Sequence, residues 1–453
     1  MSIINSIQAT FDHIRSDHHQ GVFFKGAVGS FVIKFIGSGL LFASQVVLAR
    51  LCGADQFGIY SYALSWLMIL IIPAKLGFDT SLLRFIPEYT IKKDWGRLGG
   101  ILHASFLHTG LISIALAVIG NLFIGIFEKF IQAQWILPIR IMLVVLPFYT
   151  LTVIRQAALR AFKKVVLADL PESVVRPILT ILLAYSVTCF FRQLDATSAW
   201  LIQLAVVAVA FVLGTFLLLQ KTPVAAKTVP RMKDTKFWLR TSLPMFLMNG
   251  MDIILSQASI LFLGFFRPAE DIAIFSAASR IVILATFILM AINSIAAPMI
   301  SELYYAQNRD ALQSILRFSA KGIAVFTCCT TLLIVVFGRS ILNLFGHEFV
   351  DGYFILLILL AGQTIKTLMG PASFLLNLTG HQNLTAKVMA VTVFVALVLN
   401  IILIPKWGAT GAAIASGIIL VMWNVTLVIM AIRVVHFDPS VFCLLRKEKM
   451  LPA

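Results

Sequence analysis

The chain has 453 residues, 60% of them hydrophobic and 12% charged, with a mean hydropathy of +0.95. A water-soluble protein of this length needs a far more polar surface, so the composition excludes one and calls for a lipid solvent. The formal charge of +16 invites nucleic acid as a partner, yet the basic residues are scattered through short connections rather than gathered in one patch, which argues against it.

The first twenty residues, MSIINSIQATFDHIRSDHHQ, are polar and hold no apolar core ahead of a small-residue cleavage site. They read as a tail over residues 1–24 rather than a secretory signal, with an amphipathic surface helix as the alternative. Twelve apolar stretches of about 20 residues follow, centred near residues 40, 68, 112, 147, 180, 208, 252, 285, 327, 362, 395 and 420. This pattern predicts an all-α integral membrane protein with both termini on one side. Of the 36 Lys and Arg residues, 24 fall in the termini and the connections after even-numbered spans, 7 in the opposite connections and 5 within spans. By the positive-inside rule both termini are cytoplasmic.

The largest basic cluster, KTPVAAKTVPRMKDTKFWLR from Lys221 to Arg240, lies between spans six and seven. It suits a topology anchor and linker that touches anionic lipid. The chain thereby divides into an N-terminal six-helix bundle at 25–220, a linker at 221–237, a C-terminal six-helix bundle at 238–435 and a tail at 436–453. An internal duplication supports the division. FGIYS at 57–61 matches IAIFS at 272–276, and EYTIKKDWGRLGGILHAS at 88–105 matches ELYYAQNRDALQSILRFS at 302–319. Units of six spans enter the membrane in the same sense, so the two halves form a parallel repeat, as in alternating-access transporters.

A central Lys, Arg or Asp at membrane depth costs about 2.5 to 3.5 kcal/mol, so each calls for a reason. Those within the spans are Lys34, Lys75, Asp79, Glu172, Arg176, Asp252, Arg280 and Lys366. Lys75 with Asp79, and Glu172 with Arg176, stand four residues apart and can neutralise each other on one helical face. Lys34, Asp252, Arg280 and Lys366 have no opposite charge within a turn, so their partners come from another span or a ligand. Lys34 is near a span end and can snorkel. Five cations against three carboxylates suit an anionic substrate. His103 and His108 are poorly spaced for a metal, and the five cysteines, Cys328-Cys329 among them, give neither a disulfide framework nor a zinc spacing. Pro73, Pro147, Pro177, Pro244, Pro298 and Pro371 interrupt spans, either to kink moving helices or to shape the bundle. No GxxxxGK[ST] motif occurs, and no connection much exceeds twenty residues, so the chain has no room for an ATPase or glycosyltransferase domain of its own.

Five strings together carry a family resemblance: FGIYSYALS at 57–65, LPESVVRPILTILL at 170–183, APMISELYYAQNRDALQSILRFSAK at 297–321, IPKWGATGAAIASGI at 404–418, and FGHEFVDGYFILLILLAGQTIKTLMGPASFLLNLTGHQN at 345–383. The chain resembles the polysaccharide repeat-unit flippases, a branch of the superfamily that holds the multidrug exporters and peptidoglycan lipid flippases, from about Gly29 to Val435. The resemblance implies two six-helix bundles in a V around a central cavity lined mainly by spans one, two, seven and eight. It carries Lys34, Lys75, Asp79, Asp252 and Arg280 into that cavity and leaves Lys366 less placed.

The expected function is to move a polyprenyl-diphosphate-linked oligosaccharide from the cytoplasmic to the outer leaflet of a bacterial inner membrane, as a transporter and not an enzyme. Arg280, Lys34, Lys75, Lys366 and Arg176 are the expected substrate-binding cations. Asp252, Asp79 and Glu172 are the charge partners, or the sites of proton or sodium coupling. No metal or other cofactor is expected; the membrane potential is a sufficient drive. The expected partners are the lipid-linked substrate, membrane lipids, and a glycan polymerase with its assembly proteins. A cation-coupled multidrug exporter shares the fold but wants a carboxylate-rich cavity, and a glycan polymerase or ligase wants a large external loop.

Overall fold

The computed structural model describes residues 18–191, 193–232, 234–286, 306 and 309–444. Pro298, most of residues 302–308 of the second repeat, and the parts 1–17 and 445–453 of the expected tails at 1–24 and 436–453 lie outside the described residues. Within them, every regular element is helical. Among the described residues, nine helical stretches are long and apolar enough to cross a membrane.

The first element, α1, runs His18–Lys75. A straight helix of 58 residues would be about 87 Å long, far more than the ~30 Å of a bilayer core, so the chain has to turn back. It does so at Gly53, whose φ of 75° and ψ of 171° leave helical space where a side chain would be strained. A second break at Leu76 and Gly77, both with positive φ, separates α1 from α2, Phe78–Ile91. Then come α3 (Trp95–Phe127), α4 (Ala133–Ala161), the short α5 (Val165–Leu170), α6 (Arg176–Phe191) and α7 (Ala196–Lys221). Asp94 and Asp195 cap α3 and α7 by accepting the backbone N–H of Arg97 and Ser198 at 3.1 and 2.9 Å.

The linker holds α8 (Val224–Thr228). Beyond it are α9 (Thr235–Phe266), α10 (Ala269–Leu284), α11 (Arg309–Phe345), α12 (Tyr353–Leu368), α13 (Ala372–Leu378) and α14 (Gln382–Met430). Like α1, α14 is too long for one crossing and breaks at a positive-φ glycine, Gly408.

Burial separates centre from periphery. In the most apolar window of each stretch, 67% of the α1 span is buried but only 17% of the α3 span, where Leu111, Val118, Leu122 and Phe123 project outward. An apolar face left exposed by the protein belongs to lipid. At the centre the two halves cross. Gly58 lies so close to Ala269 that an added Cβ would stand 1.8 Å from its carbonyl oxygen, so only glycine allows the crossing. The crossing joins the two copies of the first repeat: Phe57, Ile59 and Tyr60 from 57–61 and Ile272, Ala273 and Phe275 from 272–276 share one buried core.

The halves also meet at each end of this crossing. At the Gly53 end, the Glu348 carboxylate accepts the Ala54 N–H at 2.9 Å, and Phe57 meets Phe349 with ring centroids 6.0 Å apart. At the opposite end, Trp238 Nε1 donates to the Tyr89 hydroxyl at 2.9 Å, Ser242 to Ser81 at 2.8 Å, and Arg97 Nε to Asp234 at 2.9 Å. There the linker is laid onto the start of α3: Met232 N–H donates to Gly96 C=O at 3.1 Å, and a Cβ at Gly100 would collide with the Met232 carbonyl.

Candidate functional site

The first cluster of charge lies inside the N-terminal half. Glu172 sits on a single π-helical turn, Pro171–Val175, that joins α5 to α6; such wide turns are rare and recur at functional positions. Its Oε1 accepts from Arg155 Nη2 at 3.2 Å and its Oε2 lies 3.6 Å from Arg176 Nη1. Arg176 also donates to Gln203 Oε1 at 3.1 Å and stands 4.8 Å over the Tyr149 ring. The expected Glu172–Arg176 pair therefore forms, with a second guanidinium attached. Arg155 is fully buried, and Gly214 of α7 makes the room: a Cβ there would sit 1.1 Å from Arg155 Nη1.

Arg155 is not among the five cations that the sequence reading counts within spans. The chain instead folds it inward. The available signal was Gly214 in an otherwise bulky apolar run, together with two acids, Asp169 and Glu172, on the next segment. Asp169 serves the neighbouring Arg160, whose Nη2 donates to Oδ1 at 2.6 Å.

Lys75 and Asp79 pair at 2.7 Å, with side chains only 8% and 18% exposed. They do so across the Leu76–Gly77 break rather than along a continuous helix, and Asp79 falls in the first turn of α2, where a carboxylate favours the helix N-terminus. Lys366 of α12 and Asp252 of α9 interact electrostatically, so each finds opposite charge on another span. Lys34 is exposed.

Arg280 of α10 differs from all of these. Its Nη1 donates to Gln45 Oε1 of α1, and its guanidinium stands 5.2 Å over the Phe57 ring. Both partners belong to the other half of the chain, and both are uncharged. Tyr60, one turn beyond Phe57, is fully buried; its hydroxyl interacts with Gln45 and feels both Arg280 and Arg176. Trp200 holds the Tyr60 ring at a centroid distance of 5.3 Å. Gln45, Tyr60 and Gln203 escaped the sequence reading because a search for charge passes over neutral polar residues. A groove of about 610 Å³ lies elsewhere, between α3 and α4, lined by Ile114, Val118, Leu122, Val144 and Phe148; none of the predicted site residues borders it.

Residues 23–304 match the family described as polysaccharide biosynthesis protein. The chain belongs to that family. A probable low-salt glycan biosynthesis flippase of Haloferax volcanii is 22% identical over 405 residues, covering 87% of this chain and 80% of the relative. Among solved structures, an inward-facing multidrug resistance MATE family transporter of the MOP superfamily superposes with a TM-score of 0.71 at 14% identity, covering 88% of this chain and 96% of the other. The lipid II flippase MurJ in an inward closed conformation gives 0.70 at 14% identity, covering 90% and 87%. This member of the polysaccharide biosynthesis family is thus a multi-pass membrane protein with the MOP-superfamily transporter fold.

Within that fold the charged groups divide by chemistry. Arg155 and Arg176 share a carboxylate, and Lys75 and Lys366 each have an acid at hand. Arg280 has a neutral acceptor and a ring face, both of which leave its full positive charge to act on a visitor.

Proposed function

We propose that the protein moves a polyprenyl-diphosphate-linked oligosaccharide, a polysaccharide repeat unit, from the cytoplasmic to the outer leaflet by alternating access. The observation that carries this reading is Arg280, a permanently charged guanidinium at the crossing of the halves whose described partners are uncharged. A hydrated glycan with a diphosphate cannot cross hydrocarbon unaided. A planar guanidinium offers phosphate oxygens the bidentate donors that hold such a headgroup, and a cationic drug would find repulsion there. Lys34, Lys75, Lys366 and Arg176 are secondary cations for the same headgroup, while Asp79, Asp252 and Glu172 balance them or add proton or sodium coupling.

The architecture proposed around this site is twelve spans in two six-span bundles, 25–220 and 238–435, with both termini cytoplasmic in the inner membrane. The breaks at Gly53 and Gly408 support it, since each divides an overlong helix into two segments of span length. An inside-negative potential favours outward movement of the anion by about 2.3 kcal/mol per charge per 100 mV, enough to bias the cycle without ATP.

The test is flipping of lipid-linked oligosaccharide in reconstituted vesicles. Arg280→Ala should lose transport at least about tenfold, the loss expected when a charge-assisted bidentate contact goes. Arg280→Lys should lose less but still be impaired. An Arg280→Ala protein that flips at the normal rate overturns the reading.

A further inference from the structure

We propose that Arg280 is an exchange switch: it ties the two halves together through Gln45 and Phe57, and a diphosphate loosens that tie by taking the same N–H donors. This rests on the reading of Arg280 as the anion-binding residue. The guanidinium on α10 reaches into the other half for both its hydrogen bond and its ring contact. Two neighbouring ties at the crossing do not involve Arg280: the Ala54 N–H is held by Glu348, and Gly58 packs on the Ala269 backbone.

A ligand shifts a conformational equilibrium only by its differential affinity for the two states. Here the differential comes from competition. The Gln45 amide oxygen is a neutral acceptor, whereas a phosphate oxygen is charged and makes a hydrogen bond roughly twice as strong. A diphosphate therefore binds better when Arg280 has let go of Gln45. A released half-buried amide is costly unless it keeps a partner, and the Tyr60 hydroxyl already interacts with it. Tyr60 cannot withdraw, since Trp200 and Phe57 hold its ring. Gln45, which interacts with Tyr60 while Arg280 holds it, keeps that partner when the guanidinium leaves, so its release is decided by whether an anion occupies the guanidinium.

Inorganic pyrophosphate serves as the probe. Distance-reporting labels go at Gln193→Cys and Asp351→Cys in full-length protein in lipid nanodiscs, with native cysteines replaced. Both positions are exposed at the Gly53 end: Gln56 accepts the Ala196 N–H at 3.1 Å, and Asp351 shares a turn with Glu348. Pyrophosphate should raise the widely separated population. Gln45→Leu, which removes the acceptor, should raise it on the order of tenfold without pyrophosphate, the effect of losing one hydrogen bond to a charged group. Gln45→Glu, which strengthens the tie, should lower it and raise the pyrophosphate concentration needed for opening. Misfolding cannot move the population in opposite directions. If both variants keep the wild-type distribution while pyrophosphate binding still depends on Arg280, the exchange is overturned and the anion site stands. If pyrophosphate binds Arg280→Ala as it binds wild type, the anion site falls and the exchange with it.

Discussion

Two arginine sites, one around the fully buried Arg155 and one around the half-buried Arg280, differ in whom they answer to. Arg155 and Arg176 share Glu172 within the N-terminal half, and Gln203, Tyr149 and the gap at Gly214 complete their surroundings. Arg280 leans across the crossing on Gln45 and Phe57, without a carboxylate among its described contacts. A guanidinium that shares a carboxylate of its own half has its field offset in part, the two arginines and one acid leaving a single net positive charge, and removing one of the three breaks the cluster. A half-buried charge held by neutral groups from the other half keeps its field, and its contacts change when the halves move. Burial alone therefore does not identify a functional charge; the sign and ownership of its partners do.

The sharpest way to break the first site leaves its charges untouched. Gly214→Ala places a methyl where Arg155 Nη1 now lies, so the guanidinium must leave a fully buried seat and abandon Glu172. We expect a loss of more than about 3 kcal/mol, the range for breaking a buried ion pair, seen as a large fall in unfolding temperature or in monodisperse yield in detergent. An unaltered unfolding temperature would mean that Arg155 is not seated there.

Replacing the cations themselves sharpens the contrast. Arg155→Met leaves Glu172 with Arg176, so the loss should be smaller, about 1 to 3 kcal/mol, with transport falling only as the folded fraction falls. Arg280→Met removes a half-buried charge with no carboxylate among its described contacts and should change stability by less than about 1 kcal/mol, because the lost attraction is offset by the relief of withdrawing an ion from water. Its transport should nevertheless collapse. Thermal unfolding and vesicle flipping measured on the same preparations separate the two cases, and parallel losses in both variants would erase the distinction drawn between the sites.

Much of this architecture was legible in the sequence because lipid imposes simple rules. Apolar runs of span length mark the crossings, and the 57–61 and 272–276 match marks the segments that meet at the centre. Of the candidate charges, Lys34, Asp252, Arg280 and Lys366 stand apart in the sequence because nothing opposite lies within a helical turn, and Lys75–Asp79 and Glu172–Arg176 pair by spacing. What escaped had no local signature. Arg155 falls outside the charges counted within spans, and only the gap at Gly214 of α7 shows its seat, while Gln45 is one neutral residue in a span, given meaning only by a guanidinium 235 positions away. Spacing reads partners along a helix, but partners across the crossing depend on how helices pack.

The smallest expected effect comes from two ion pairs of matching geometry in different solvents. Lys75–Asp79 and Lys92–Glu88 are both separated by four residues and both 2.7 Å long, but the first has side chains 8% and 18% exposed and the second 65% and 35%. Lys75→Met leaves Asp79 withdrawn from water without its partner and should cost about 1 to 3 kcal/mol, with little dependence on salt. Lys92→Met should cost only a few tenths of a kcal/mol and nothing at about 1 M salt, where the screening length is about 3 Å. The outer pair also carries a pH signature. The hydrogen bond from the Lys92 ammonium holds the Glu88 carboxyl below its usual value. A carboxyl depressed on folding stabilises above the unfolded value, near 4.3 for Glu, and that contribution disappears as pH falls through the folded value. The difference between wild type and Lys92→Met should therefore be present at neutral pH and vanish in acid. Unfolding curves of both variants against salt and pH would show it, and a salt-insensitive Lys92→Met loss as large as that of Lys75→Met would mean that both pairs sit in the same dielectric.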